Sequence, residues 1–96
     1  MKREYLYLVR SKNNDKFKIG YTINPRSRAK NYQTHSLDVE FIGYKEIPDK
    51  KYEKLCHYEL LKRQYKKCVT QGKTEWFEGH INLKEFLDLI QSVING

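Results

Sequence analysis

The chain has 96 residues, a formal net charge of +7, 39% hydrophobic and 32% charged side chains, two prolines and five glycines. That length holds one domain with a single modest core, so residues 1–96 read as one unit, and the composition excludes a disordered, collagen-like or low-complexity chain. No apolar run approaches the roughly 20 residues of a membrane span, no secretory leader is evident, and Cys56 and Cys68 are too few for a disulfide scaffold. The expected location is therefore a reducing cytoplasm, or the nucleic-acid compartment of a host cell.

Residues 4–10 (Glu-Tyr-Leu-Tyr-Leu-Val-Arg) and 16–22 (Lys-Phe-Lys-Ile-Gly-Tyr-Thr) alternate apolar and polar around the turn cluster Lys12-Asn13-Asn14-Asp15. They predict a β-hairpin with a two-residue tip at Asn13-Asn14. In that register Tyr7 lies opposite Gly20, Val9 opposite Lys18 and Tyr5 opposite Thr22. One face then carries Leu6, Leu8, Phe17, Ile19 and Tyr21 and forms the core. The other carries Tyr5, Tyr7, Val9, Lys18, Gly20 and Thr22, a half-exposed face that is polar, aromatic and cationic. Asn24-Pro25 supplies an N-cap and a first helical residue, predicting a short polar helix from about Pro25 to Tyr32 that breaks at His35-Ser36. Residues 38–47 predict a third strand. Pro48-Asp49 opens a helix over about 49–67 with Tyr52, Leu55, Cys56, Leu60 and Leu61 near helical spacing. Gly72 interrupts, and Thr74-Glu75-Trp76-Phe77 is a short extended piece. Asn82 with Glu85 resembles a capping box before a helix over 82–95, whose Leu83, Phe86, Leu87, Ile90, Val93 and Ile94 make the clearest amphipathic stripe in the chain. This order predicts an α+β domain: a small antiparallel sheet of three or more strands flanked by helices.

The charge is unevenly placed. Residues 1–30 hold nine basic side chains against two acidic ones, whereas residues 31–96 hold ten of each. An excess confined to the first third points to a polyanion partner, nucleic acid above all. Plain solubility would be served better by dispersal.

Tyr5-Leu6-Tyr7, Lys18-Ile19-Gly20 and an Arg28 placed eight residues beyond Gly20 resemble the motifs of the GIY-YIG nuclease superfamily. Glu53 and His57, with the closing Thr74-Glu75-Trp76-Phe77, are similar to its phage- and virus-associated branch, often described as DNA-binding. Tyr5 stands where the family name has its first glycine, Lys18 where it has the second tyrosine, and the asparagine near the end of many family nucleases has no clear counterpart.

The resemblance implies a GIY-YIG-like fold and hydrolysis of DNA phosphodiester bonds with Mg²⁺ or another divalent metal, and no small-molecule cofactor. Tyr7 would serve as base or position the water, helped by a nearby cation that lowers its pKa. Lys18 would be that cation or a phosphate clamp, and Arg28 would bind the scissile phosphate through its planar fork. Glu53 would hold the metal, a single carboxylate suiting Mg²⁺ with its retained waters. Gly20 would leave room for phosphate or water. Arg26, Lys30 and Thr22 would contact the nucleic acid, with Tyr32 on the helix face of Arg28 and His57 one turn beyond Glu53.

Each residue also has a plain structural reading. Tyr7 is one of eight tyrosines, Lys18 a strand lysine, Arg28 one cation of a basic helix, and Glu53 a solvated carboxylate among lysines. Trp76 and Phe77 either stack on a base or close the core. Cys56, His57, Cys68 and His80 match no standard zinc spacing. The last helix could also join two copies in a homodimer. A DNA-binding module without hydrolysis, and an RNA-binding or protein adaptor, are the alternatives to the nuclease.

Overall fold

The computed structural model of the chain describes residues 2–35, 38–68 and 76–96. The two alternating segments form β1 (Glu4–Ser11) and β2 (Lys16–Thr22). They pair antiparallel in the expected register, Tyr7 opposite Gly20 and Val9 opposite Lys18. The tip differs from the expected two-residue turn, since residues 12–15 connect the strands. Ser11 Oγ accepts the backbone N–H groups of Asn13 and Asn14, each at 3.3 Å. A side-chain hydroxyl thus closes a longer loop without shifting the pairing.

Asn24 caps α1 (Pro25–His35), its Oδ1 accepting the Ser27 N–H at 3.1 Å. The helix extends past Tyr32, where it was expected to end. Ser36, part of the expected break, lies outside the described residues. Strand β3 (Val39–Ile47) pairs with β1 on the side opposite β2. Helix α2 (Lys51–Lys62) is shorter than the predicted 49–67. Its end is a Schellman closure in which Gln64 N–H donates to Leu61 O and Tyr65 N–H to Leu60 O, both at 3.0 Å. Gln64 takes the left-handed position at φ 72°. No glycine marked this stop, and so it was not legible.

Strand β4 (Phe77–Glu78) pairs with the start of β2. Of the extended piece expected here, Thr74 and Glu75 lie outside the described residues, as does Gly72. Helix α3 (Leu83–Asn95) opens with the expected capping box: Glu85 N–H donates to Asn82 Oδ1 at 2.8 Å and Asn82 N–H to Glu85 Oε1 at 3.3 Å.

Among the described residues the four strands form one antiparallel sheet in the order β3-β1-β2-β4, flanked by three helices. The domain is α+β, as the element order predicts. No helix among the described residues is long and apolar enough to cross a membrane. The core lies on the face of Leu6, Leu8, Phe17 and Ile19, against Cys56 and Leu60 from α2 and Phe86, Leu89 and Ile90 from α3. Two expectations about the core need correction. Leu55 and Leu61 are exposed while His57 is buried, so α2 turns a different face inward. The second face of β1 is not half-exposed, since Tyr7 and Val9 are buried there. A central strand with neighbours on both edges and layers on both faces has no wet side.

The left-handed glutamine at the end of α2 carries a steric cost of about 1–2 kcal/mol that glycine avoids, set against glycine's larger unfolded-state entropy. Gln64→Gly should therefore raise stability by up to about 1 kcal/mol, several degrees in a domain this small. Thermal unfolding followed by circular dichroism checks this, and a lowered Tm would contradict the assigned cap.

Candidate functional site

The site begins with a missing side chain. A Cβ on Gly20 would lie 2.4 Å from Cζ and from the hydroxyl of Tyr7, so the Tyr7 ring rests over the bare backbone of β2. The space that Gly20 was expected to leave for phosphate or water is filled by this ring. On its other flank Phe41 of β3 stacks at 5.7 Å between centroids, with planes 20° apart. The Tyr7 and Tyr32 hydroxyls share a hydrogen bond at 3.2 Å. Tyr32 therefore couples α1 directly to the phenol.

Two cations border this ring. Arg28 Cζ lies 5.8 Å and Lys18 Nζ 6.0 Å from its centroid, near the outer limit of useful cation–π contact. Among the described residues neither makes an ion pair with a carboxylate. Arg28 is exposed and Lys18 half-buried. Arg26 and Lys30 are exposed along the same helix. Two cations that make no ion pair with a carboxylate among the described residues favour an incoming anion.

Helix α2 reaches the site along the edge of β2 that β4 leaves uncovered. His57 is buried there, with Nε2 2.9 Å from the Ile19 carbonyl oxygen. A carbonyl only accepts, so Nε2 carries the proton. This imidazole docks the helix onto the strand, a structural task in place of the expected contact with nucleic acid. One turn earlier on the same helix face, Glu53 is half-buried, and its carboxylate has no hydrogen bond or ion pair among the described residues. Its charge is felt by both Tyr7 and Tyr21. The structure thus brings Tyr7, Lys18, Arg28, Gly20 and Tyr32 together, with Glu53 within electrostatic reach. Thr22 stands apart: it is buried, and its Oγ1 accepts the Asn24 N–H at 3.1 Å in the turn leading to α1.

Phe41 and Lys50 were missed from the sequence. Lys50 Nζ lies 5.2 Å from the Tyr21 centroid. The Tyr21 hydroxyl donates to Glu4 Oε1 at 2.8 Å, and this bond with burial and carboxylate charge raises its pKa. No spacing signalled these cross-strand partners, because they depend on where β3 and α2 settle.

Electrostatics corrects one expectation about Tyr7. Burial raises its pKa most, and the hydrogen bond and charge of Tyr32 and the charge of Glu53 add to the rise. Arg28 alone pulls downward and is outweighed. The phenol is neutral at physiological pH, so it orients by hydrogen bonding and is not a ready base. For a metal, the donor at hand is one hard carboxylate, Glu53. That fits a hydrated Mg²⁺ held through few protein ligands and not a zinc centre. Among the described residues no three His, Cys, Asp or Glu side chains gather for a metal, so Cys56, His57, Cys68 and His80 do not form one.

Set against known families, residues 4–94 match the T5orf172 domain. No curated protein and no solved structure matches the chain.

Two outcomes test the geometry. Gly20→Ala must push Tyr7 off β2, costing about 1–3 kcal/mol as an overpacked site and weakening any binding that needs the phenol in place. A variant as stable as wild type would contradict the close approach. The second outcome concerns pH. The folded phenol keeps its proton above the ordinary value of 10.0, so its contribution is full below about pH 10 and is lost as pH rises further. From about pH 9 to about pH 11, denaturant unfolding should show wild type losing more stability than Tyr7→Phe. Equal losses would refute the raised pKa.

Proposed function

We propose, from the premise that the chain belongs to the T5orf172 domain family, that it is a DNA endonuclease acting through a GIY-YIG-like phosphodiester site. Family membership supports a nuclease-like or DNA-binding role, and the motif resemblance of Tyr7, Gly20 and Arg28 supports the more specific reading. The observation that carries it is the convergence of Lys18 and Arg28 on the Tyr7 ring at 6.0 and 5.8 Å, with no carboxylate paired to either among the described residues.

In this reading Arg28 clamps two non-bridging oxygens of the scissile phosphate, and Lys18 adds a point charge beside it. Tyr7 orients the attacking water, its phenol oxygen accepting a hydrogen bond from the water while its own hydroxyl donates one to Tyr32. The water oxygen bonds to phosphorus as the phosphorus–oxygen ester bond breaks; one water proton passes through solvent to the leaving oxygen, which departs as a hydroxyl, and the other is released to solvent. Glu53 is the residue that would hold a divalent metal, which would supply Lewis-acid stabilisation of developing negative charge and offset the carboxylate's upward pull on Tyr7. Arg26 and Lys30 contact neighbouring phosphates without reading sequence.

A second reading rests on the state of Tyr7. A buried, neutral phenol flanked by two cations without ion pairs among the described residues equally suits a module that grips DNA and does not cut it. Supercoiled plasmid separates the two. The nuclease nicks it with Mg²⁺, stops with a chelator, and loses about 10²–10³-fold in rate when preorganised charge is removed by Arg28→Ala with Glu53→Ala. Wild type that binds DNA yet yields only the double variant's background belongs to the second reading. In both, neutralising Arg26 or Lys30 lowers the salt dependence of binding by about one phosphate contact each.

A further inference from the structure

We infer that the sheet face of Tyr7 carries a second subsite, at the tip end of the hairpin, that stacks one unpaired nucleobase of the bound strand on Trp76. The inference rests on the DNA reading above and names the substrate class it would take: a strand with at least one base out of its duplex stack.

The subsite is a cavity of about 190 Å³ lined by Ser11, Lys16, Asp38, Val39 and Trp76. Ser11 faces Val39 across β1 and β3, and alternation puts Ser11, like Val9 and Tyr7, on the Tyr7 face. The cavity therefore lies on the same sheet face as the candidate site. Ser11 lies four positions along β1 from Tyr7, about 14 Å at strand rise, a distance that a strand seated at Tyr7 spans within a few nucleotides. Lys16 and Lys18, two residues apart on that face, sit about 7 Å from one another along β2, and Lys16 is at the cavity's edge.

The walls select the occupant. The Trp76 indole is half-buried and its backbone is pinned, its carbonyl accepting the Cys68 N–H at 2.8 Å while the next residue pairs in β4. Val39 provides a second apolar surface. Asp38 is held in place as well: its backbone oxygen accepts the Lys12 N–H at 2.8 Å, and Oδ1 accepts from Asn13 Nδ2 at 3.2 Å. A carboxylate at the rim repels a phosphate but accepts from an exocyclic amine such as that of cytosine. A flat, partly apolar group with a donor edge, attached to a backbone that follows Lys16 and Lys18, fits this description. Stacking of this kind contributes about 1–3 kcal/mol per base.

Trp76 is the only tryptophan in the chain, so its own emission reports the contact. The full chain is titrated with a short oligodeoxycytidylate, with an abasic strand of equal length and with a blunt duplex, while anisotropy of a labelled strand follows binding. The expected result is quenching by oligodeoxycytidylate and none by the abasic strand or the duplex. Trp76→Ala should weaken oligodeoxycytidylate binding about 5–150-fold, the stacking energy expressed as affinity, and leave duplex affinity unchanged. Trp76→Phe, which keeps an aromatic ring, should retain most of the affinity and guards against a folding defect. Saturable binding with unchanged emission, or equal quenching by the duplex, overturns the subsite and leaves the DNA reading standing. Absence of binding to all three probes at low salt overturns both.

Discussion

The close contact of the Tyr7 ring with the backbone of Gly20 organises this molecule. Because residue 20 has no side chain, the phenol packs close against the backbone of β2, its hydroxyl bonded to Tyr32 and its ring bordered by Arg28 and Lys18. Any side chain at that position would lift the ring and break the link from sheet to α1. The same contact explains why β1 is buried on both faces. One layer is the aliphatic core shared with α2 and α3, and the other is an aromatic layer of Tyr7, Tyr32 and Phe41.

This second layer sets the chemistry. Aromatic faces attract cations only weakly at the observed distances, so Arg28 and Lys18 border the ring without an ion pair among the described residues. A carboxylate in direct contact would have neutralised them. Glu53 instead acts on Tyr7 from α2, close enough to raise its pKa. Burial, the phenol pair and this carboxylate all favour the neutral hydroxyl, which suits orientation of a water or a phosphate oxygen better than proton abstraction.

The placement of Glu53 depends in turn on the edge of β2. Strand β4 pairs with only the first two residues of β2, leaving the Ile19 carbonyl to be satisfied by another group. His57 donates to it, and that bond docks α2 along the open edge. The histidine that looked like a site residue on helical spacing is thus the hinge-pin that brings Glu53 near the site, while the wall of Trp76 and Val39 continues the same face at the far end of the sheet.

Much was legible in the residues themselves. Period-two alternation set which face of β1 and β2 carries Leu6, Leu8, Phe17 and Ile19, since a one-residue slip would split them between the two faces, and the polar tip at residues 12–15 set the pairing. Asn24-Pro25 and Asn82 with Glu85 marked helix starts because caps are local chemistry. Tertiary structure decided the rest. A register shift between Leu8 and Val9 pairs Val9 with Phe41 but Tyr7 with Tyr44, so two β3 residues three apart lie on the phenol's face of the sheet, which strict alternation would forbid. The end of α2 needed a left-handed Gln64 that no residue type announces. The raised pKa of Tyr7 needed the layers above and below it, because burial and charge at a point are sums over neighbours that chain order does not contain.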